Sequence, residues 1–289
     1  MIGSVTRSIT IRLWIIKMSK ISDIKDPGER QRAMSELLRV DPTDDSRVTV
    51  LYYGHSFVHH LRDYVRHQEG WRNWGFSPRQ AEIHYYSQSG ATIEKMLLPE
   101  HLWHIEFMRP DIVVIEIATN DLARNGTKYT PERLAEQARE LVLAIRDRGV
   151  KQIILNQVLP RGETGMDRTI KQSRGRAVPV TRAERIEACK NFKEKAVNYN
   201  ELCHTDINSI PSCRFWHHHN LWKHIDQEVK DGTHLNDVGQ SKLIKSVKGA
   251  VIVSMKLIRP AWYDNSGRLL HCYRRMFARE GAHVPKESK

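Results

Sequence analysis

The sequence predicts an α/β fold in which a parallel sheet is covered by helices on both faces. Short apolar strands alternate with helical patterns at least four times along the chain, which is typical of parallel strands joined by crossover helices. The run from Asp111 to Ala118 is almost continuously apolar, as expected for a strand buried on both faces. Such sheets bind ligands beyond the carboxyl ends of their strands. Polar residues that follow the strands are therefore the first candidates for a site.

Size and composition set broad limits on the class of protein. The chain has 289 residues, of which 40% are hydrophobic, so it can bury a sizeable core and is not of the disordered class. No apolar run approaches the ~20 residues that span a bilayer. The net charge of +12 favours acidic partners such as nucleic acid, anionic lipid or acidic polysaccharide. A basic protein without such a partner is the alternative.

Neither the two ends of the chain nor the cysteines are predicted to form part of a functional site. Residues 1–25 are interpreted as a flexible basic arm, with Met18 as an alternative start. Residues 26–40 are predicted to form a helix capped by Asp26. From Arg259 onward we predict a loosely packed basic tail, residues 259–289. None of the four cysteines forms a Cys-x-x-Cys pair, so we expect free thiols in a reducing, cytoplasmic compartment.

The first strand is predicted over residues 47–53 and stops at Gly54, two residues before Ser56. A helix follows, because Phe57, Val58, Leu61 and Val65 recur at helical spacing. Residues 70–78 are predicted to be a loop, and residues 81–86 alternate like a second strand. Helical spacing resumes at Ile93, Met96 and Leu97.

The third strand, residues 111–118, ends at Thr119-Asn120-Asp121. Thr130 and Pro131 predict the start of a helix that Gly149 stops, and residues 151–159 form a fourth strand. Residues 161–180 are polar and basic with three glycines, and a mobile or functional loop is predicted there. Further along the chain we predict a helix at 181–199, a short fifth strand within 215–222, a loop at 231–236 and a helix at 237–257.

Five residues at or after these elements supply what acyl transfer requires. Ser56 follows a buried strand and is the candidate nucleophile. Asp231 and His234 are three residues apart in a late loop, so the carboxylate can bind Nδ1–H and leave Nε2 facing the serine. Gly90 can present a backbone N–H and Asn120 a side-chain N–H₂ to an oxyanion.

In order along the chain, four blocks resemble those of a known family. They are Ser56 in Gly54-His55-Ser56, Gly90, Asn120 in Ala118-Thr119-Asn120-Asp121, and His234 in Asp231-Gly232-Thr233-His234. They resemble the SGNH hydrolases, the GDSL-like esterase and lipase superfamily, over residues 47–257. The resemblance implies a three-layer α/β/α sandwich with a flavodoxin-like five-stranded parallel sheet, in a domain predicted at residues 26–258. It also implies esterase, acetylhydrolase, lipase or thioesterase activity without a metal or other cofactor.

By position, the resemblance implies that Ser56 attacks the carbonyl, His234 transfers the proton and Asp231 orients the imidazole. The oxyanion is then held by Ser56, Gly90 and Asn120. Two residues depart from the family's pattern. His55 stands where the family has aspartate, so the hydrogen bonding of that turn must differ. Ala118 stands where the family has glycine, which we interpret as a mild change.

Other polar and aromatic residues have simpler explanations than a role in catalysis or metal binding. Adjacent histidines on a strand point to opposite faces, so His217-His218-His219, with Cys213 and His224 nearby, are not predicted to bind a metal. His59 and His60 follow Ser56 too closely to be the base, although one could line the cleft. Aromatic residues could stack on an acyl group or a sugar, although buried packing is the default for them: Trp71, Trp74 and Tyr86. Basic residues of the loop could contact an anionic substrate or nucleic acid, although a solvated loop is the default: Arg161, Arg168, Lys171, Arg174 and Arg176.

The sequence thus predicts a serine esterase that cleaves small carboxylic esters, including O-acetyl groups, of a small-molecule or carbohydrate alcohol. The alternative is a catalytically degenerate domain that binds nucleic acid or another polyanion. Nothing in the sequence indicates an oligomeric state.

Overall fold

The computed structural model describes residues 47–174, 179–219, 221–222, 225–263 and 266–270. The predicted N-terminal arm and the helix at 26–40 lie outside these residues, as do Met18, Arg176, His224 and Cys272. The strands are β1 Val48–Gly54, β2 Ala81–Ser87, β3 Ile112–Glu116, β4 Gln152–Asn156 and β5 Cys213–Trp216. The α-helices are α1 Ser56–His67, α2 Ile93–Met96, α3 Pro99–Met108, α4 Thr119–Leu122, α5 Pro131–Arg146, α6 Glu163–Arg174, α7 Arg182–Asn208, α8 Ile225–Glu228 and α9 Asp237–Ile258.

The five strands form one sheet in the order β2-β1-β3-β4-β5, and every neighbouring pair is parallel. This is the strand order of the flavodoxin-like doubly wound fold. The predicted α/β/α sandwich with a five-stranded parallel sheet is therefore confirmed. The connection from β1 to β2 and the connection from β3 to β4 run in opposite directions across the sheet from its centre. The crevice between the carboxyl ends of β1 and β3 is therefore the switch point where such folds bind ligands.

Two apolar cores lie on opposite faces of the sheet, because successive strand residues point to opposite sides. Leu51 and Tyr53 of β1 face a core that includes residues of α3, α5 and α7. Val50 and Tyr52 face a second core that includes residues of α1 and α9. The central strand β3 is buried along its whole length, which explains its unbroken apolar sequence.

The structure corrects the sequence prediction in four places. Residues 163–174 form helix α6, whereas a loop was predicted over 161–180. Helix α7 runs to Asn208 and not to Tyr199. β5 begins at Cys213, two residues before the predicted segment. Trp262, in the predicted loose tail, is 4% exposed and packs into the second core.

No helix among the described residues is long and apolar enough to cross a membrane. The part of the chain described here contains three free cysteine thiols, Cys189, Cys203 and Cys213.

Gly54 is required where β1 meets β3. A Cβ atom at this position would lie 2.0 Å from the carbonyl oxygen of Glu116, its partner in the register. The two strands would have to separate at the edge where Ser56 emerges. We expect Gly54→Ala to lower the free energy of unfolding by about 1–3 kcal/mol. Urea unfolding measures this change.

Gly249→Ala is the matched control, because a Cβ on that α9 residue meets its nearest atom at 3.5 Å, an ordinary contact. Alanine is also the better helix former by up to about 1 kcal/mol. The packing argument fails if the two variants unfold at the same urea concentration.

Candidate active site

Ser56 is the first residue of α1 and follows β1 after a single intervening residue, His55. It therefore stands at the carboxyl edge of the sheet, at the switch point between β1 and β3. The rigid strand fixes its backbone, and the helix N-terminus favours negative charge beside it. The first turn of α1 carries no acidic residue, so nothing in that turn cancels this preference.

The structure brings Ser56, His234 and Asp231 into one hydrogen-bonded chain. Oγ of Ser56 lies 2.9 Å from Nε2 of His234, and Nδ1 of the same ring lies 2.7 Å from Oδ2 of Asp231. The serine and the aspartate thus bond opposite nitrogens of one imidazole. With Nδ1–H donating to the carboxylate, Nε2 can accept the serine proton.

The Asp231 carboxylate is held by the turn that carries His234. Its Oδ1 accepts the backbone N–H groups of Thr233 at 2.9 Å and His234 at 2.6 Å. Burial alone would raise the pKa of Asp231, but the hydrogen bonds from His234 and Thr233 outweigh it and lower the pKa to about 2. The carboxylate is therefore ionised throughout the neutral pH range.

Helix α6 supports this loop through a close backbone contact. Gly162 N–H donates to the Gly232 carbonyl at 2.7 Å. A Cβ on Gly165 would lie 2.3 Å from that same oxygen, and a Cβ on Gly232 would lie 2.1 Å from the nitrogen of Gly165. Both positions therefore need glycine. The start of the segment that was predicted to be a mobile or functional loop therefore packs against the Asp231–His234 turn.

The two remaining oxyanion candidates flank Ser56. Because β1 lies between β2 and β3, the turn with Gly90 emerges on one side of the serine and Asn120 on the other. Gln88 N–H donates to the Gly54 carbonyl at 2.9 Å, which holds the Gly90 turn against the nucleophile turn. Asn120 is on α4, and its Nδ2 donates to the Ala91 carbonyl at 3.0 Å.

A family model for GDSL-like lipases and acylhydrolases matches residues 45–247. The chain belongs to the GDSL-like lipase/acylhydrolase family. A search of curated proteins finds no match. The family match spans all five strands and ends within α9, so it includes every residue of the candidate site.

Several solved structures have a similar fold. A Bacteroides fragilis protein provisionally assigned as an acylhydrolase is 18% identical, with a TM-score of 0.54, over 81% of this chain and 99% of its own. A GDSL-like lipase from Bacteroides thetaiotaomicron is 17% identical, with a TM-score of 0.48, over 78% and 96% of the two chains. A carbohydrate esterase family 3 structure from Talaromyces cellulolyticus is 13% identical, with a TM-score of 0.47, over 72% and 98%. At these identities the likeness concerns the fold.

His55, which replaces the aspartate of the GDSL motif, caps helix α1. Its Nδ1 accepts the backbone N–H of Phe57 at 3.3 Å, as an aspartate oxygen does at the N-terminus of a helix. The ring is fully buried. Burial, followed by the charges of Arg161 and His234, lowers the pKa of His55 to about 3. His55 is therefore neutral at pH 7 and keeps Nδ1 free to accept.

Ala118, which replaces the glycine of the third family block, has φ of +75°. This left-handed backbone conformation costs a residue with a side chain about 1–2 kcal/mol, so a glycine suits the position better. Ala118 is the residue immediately before α4. The strain therefore lies at the turn that presents Asn120, where local strain is commonly tolerated for function.

Arg161 and His60 contact residues of the candidate site in ways that the sequence did not predict. Arg161 donates from its guanidinium to the Thr119 carbonyl and to Oδ1 of Asn120, at 3.1 and 3.2 Å. The His60 ring packs on His234 with centroids 4.2 Å apart. Burial, then the charges of His234 and Lys230, lower the pKa of His60 to about 4, so it adds no positive charge beside the base at neutral pH. These contacts join residues 41 and 174 positions apart along the chain, and no local pattern reveals them.

Two of the other candidates, His218 and Trp74, are explained by packing. Within the described ranges no group of three or more histidine, cysteine or acidic residues could hold a metal ion. His218 is buried and bonds Ser246 at 3.0 Å. Trp74 is buried and donates to the hydroxyl of Tyr85 at 2.7 Å. Part of the basic segment predicted as a loop over residues 161–180 is helix α6, and Arg161 is engaged with Asn120.

A buried carboxyl group lies beneath the nucleophile turn. Glu116 ends β3, and its Oε2 accepts from the Tyr52 hydroxyl and from Nδ2 of Asn156, each at 2.9 Å. Its backbone carbonyl accepts the N–H of His55 at 3.1 Å. Burial raises the pKa of Glu116 to about 7, although the two side-chain hydrogen bonds partly offset it.

This raised pKa predicts a loss of stability with rising pH. The folded protein holds the Glu116 proton up to about pH 7, whereas the unfolded chain releases it near its ordinary pKa of about 4.3. The free energy of unfolding should therefore fall between about pH 5 and about pH 8, by about 2–3 kcal/mol from Glu116. Asp121, whose pKa burial also raises to about 7, acts in the same direction.

Glu116→Gln should remove the part of this pH dependence that comes from Glu116. Urea unfolding at about pH 5 and about pH 8 measures the change. Glu140→Gln, on the exposed side of α5, is the control that should keep the wild-type dependence. An unchanged pH dependence in Glu116→Gln would contradict the assignment.

Proposed function

We propose that this chain is a serine ester hydrolase that acts on small carboxylic esters. The observation that carries the proposal is the hydrogen-bonded chain from Ser56 through His234 to Asp231, at 2.9 and 2.7 Å, in a chain of the acylhydrolase family. Nucleophile, base and orienting acid are each within hydrogen-bond reach of the next, as nucleophilic catalysis requires.

In the first half of the reaction, Nε2 of His234 accepts the Ser56 proton while Oγ attacks the ester carbonyl carbon. The carbonyl oxygen becomes an oxyanion in a tetrahedral intermediate. Nε2–H then donates its proton to the leaving alkoxide, the C–O bond breaks and the alcohol departs. Asp231 stabilises the imidazolium that forms in between.

In the second half, His234 accepts a proton from water, and the resulting hydroxide attacks the acyl carbon. The collapse of the second intermediate returns the proton to Ser56 and releases the carboxylic acid. The same base therefore acts in both halves, and no external reactant besides water is needed.

The oxyanion is proposed to bind three hydrogen-bond donors that follow the carboxyl ends of β2, β1 and β3. They are the N–H of Ser56, the N–H of Gly90 and one hydrogen of the Asn120 amide. The other hydrogen of that amide donates to the Ala91 carbonyl at 3.0 Å. Three fixed donors stabilise charge that develops only in the transition state, which is where binding accelerates the reaction.

The proposal is tested with a series of p-nitrophenyl esters. Purified protein should hydrolyse the acetate with saturable kinetics, and kcat/KM should fall from acetate through butyrate to octanoate. A rate equal to that of the same protein after unfolding in urea would remove the enzymatic proposal. A maximum at octanoate would retain the hydrolase and remove the preference for small acyl groups.

A further inference from the structure

Arg161 holds the carbonyl end of the Asn120 amide. Its guanidinium donates to Oδ1 of Asn120 at 3.2 Å, and the same nitrogen donates to the backbone carbonyl of Thr119 at 3.1 Å. A single terminal nitrogen thus bonds both the side chain of Asn120 and the residue before it. Arg161 therefore links the Asn120 amide to the first residue of helix α4.

The chemistry of these partners dictates which way the amide faces. A guanidinium has only donors, so it can face only Oδ1 of Asn120. The Ala91 carbonyl is an acceptor, so it can face only Nδ2, which lies 3.0 Å away. The two contacts select the same orientation independently. In that orientation the N–H₂ group, not the carbonyl, is directed towards the turn that follows Gly90.

Arg161 is itself held in place by three contacts, two with helix α7 and one with the turn that carries His234. Its guanidinium carbon lies 5.4 Å from the centre of the Phe192 ring, a cation–π contact with α7. The thiol of Cys189 donates to the Arg161 carbonyl at 3.2 Å. The next residue, Gly162, bonds the Gly232 carbonyl in the His234 turn. Because two of these contacts hold the backbone and one holds the guanidinium, Arg161 can impose an orientation on its partner.

We propose that Arg161 is a positioning residue that sets the oxyanion-hole amide of Asn120, an inference that rests on the proposed esterase function. Arg161 does not touch the reacting atoms. Its effect on the reaction passes through Asn120, since without it only the bond to the Ala91 carbonyl opposes rotation of the amide carbonyl into the site. The amide would then present a partial negative charge to the developing oxyanion for part of the time.

A double-mutant cycle between Arg161 and Asn120 separates this role from general support of the fold. Single and double variants, Arg161→Met and Asn120→Ala, are assayed with 4-methylumbelliferyl acetate. Arg161→Met should lower kcat by about 10- to 100-fold and change KM by less than about 3-fold, because the oxyanion forms only in the transition state. In the Asn120→Ala background the same substitution should change kcat by less than about 3-fold.

Two further variants make the outcome decisive. Arg148→Met replaces a half-buried arginine that also donates to a backbone carbonyl, that of Ala144, on helix α5, and it should leave kcat unchanged. Arg161→Lys, which keeps the charge and the stem, provides a second cycle if the methionine variant does not fold. It should lose a smaller factor than Arg161→Met, again only when Asn120 is present.

An equal loss of kcat in both backgrounds, or a loss confined to KM, would overturn the positioning role. Retention of wild-type kcat in both Arg161 variants would also overturn it. If the wild-type protein itself hydrolyses no ester, the proposed function fails first, and that result is distinct from a wild type that is active but insensitive to Arg161.

Discussion

Ser56→Ala is expected to reduce the rate of p-nitrophenyl acetate hydrolysis almost to that of the uncatalysed reaction. The loss in kcat should be about 10⁴–10⁶-fold, because without the nucleophile His234 has no acyl acceptor to activate. Thermal stability should change little, since Ser56 is only half-buried and sits at a helix start. Steady-state kinetics and a thermal melt of the same preparation measure both quantities.

Ser209→Ala is the matched control for this result. Ser209 caps the C-terminus of α7, is exposed, and donates to the Asp206 carbonyl at 2.6 Å at the opposite edge of the sheet. It should keep the wild-type kcat. If Ser56→Ala keeps the wild-type rate of ester hydrolysis, the nucleophile is another residue.

Asn120→Ala is the second large effect, with an expected loss of about 10²–10³-fold in kcat. The amide is one of three proposed donors to the oxyanion, so the other two should retain part of the catalysis. KM should change much less than kcat, since the donor acts on charge that appears only during the reaction.

Asn198→Ala, an exposed asparagine on α7, should be indistinguishable from wild type. Because Asn120 also bonds Ala91 and Arg161, a thermal melt must accompany the kinetics. A loss of activity that follows the loss of folded protein at assay temperature, and disappears on cooling, would assign Asn120 to stability and not to catalysis.

The sheet could be predicted because burial on both faces leaves a strong local signal. β1 and β3 are apolar along almost their full length and are buried in the structure. Helix α5 was also well marked, since Thr130 accepts from Arg133 N–H as its cap and Pro131 is its first residue. In each case the residues that define the element are adjacent or one helical turn apart.

Helix α6 could not be predicted from such a pattern. It presents few apolar side chains to the core, among them the buried Met166 and the half-buried Ile170, one turn apart. Its glycine, Gly165, reads locally as a helix breaker, yet the structure needs it there because Gly232 approaches within van der Waals distance. The constraint comes from a loop some 67 residues further along the chain (232 − 165 = 67).

The candidate site divides in the same way. Ser56, Gly90, Asn120, Asp231 and His234 could be picked out because each follows a strand or lies in a short motif. The groups that surround them could not. His55 as a helix cap, Arg161 on the Asn120 amide and His60 on the His234 ring all depend on how the chain folds back on itself.

The most direct test of the central claim is to identify which serine a fluorophosphonate modifies. These reagents phosphonylate serines that are both activated by a neighbouring base and accessible. The account predicts a single modified peptide containing Ser56, with labelling abolished in Ser56→Ala and strongly slowed in His234→Ala. Modification of any other serine in preference to Ser56, or no labelling of the folded wild-type protein, would contradict it.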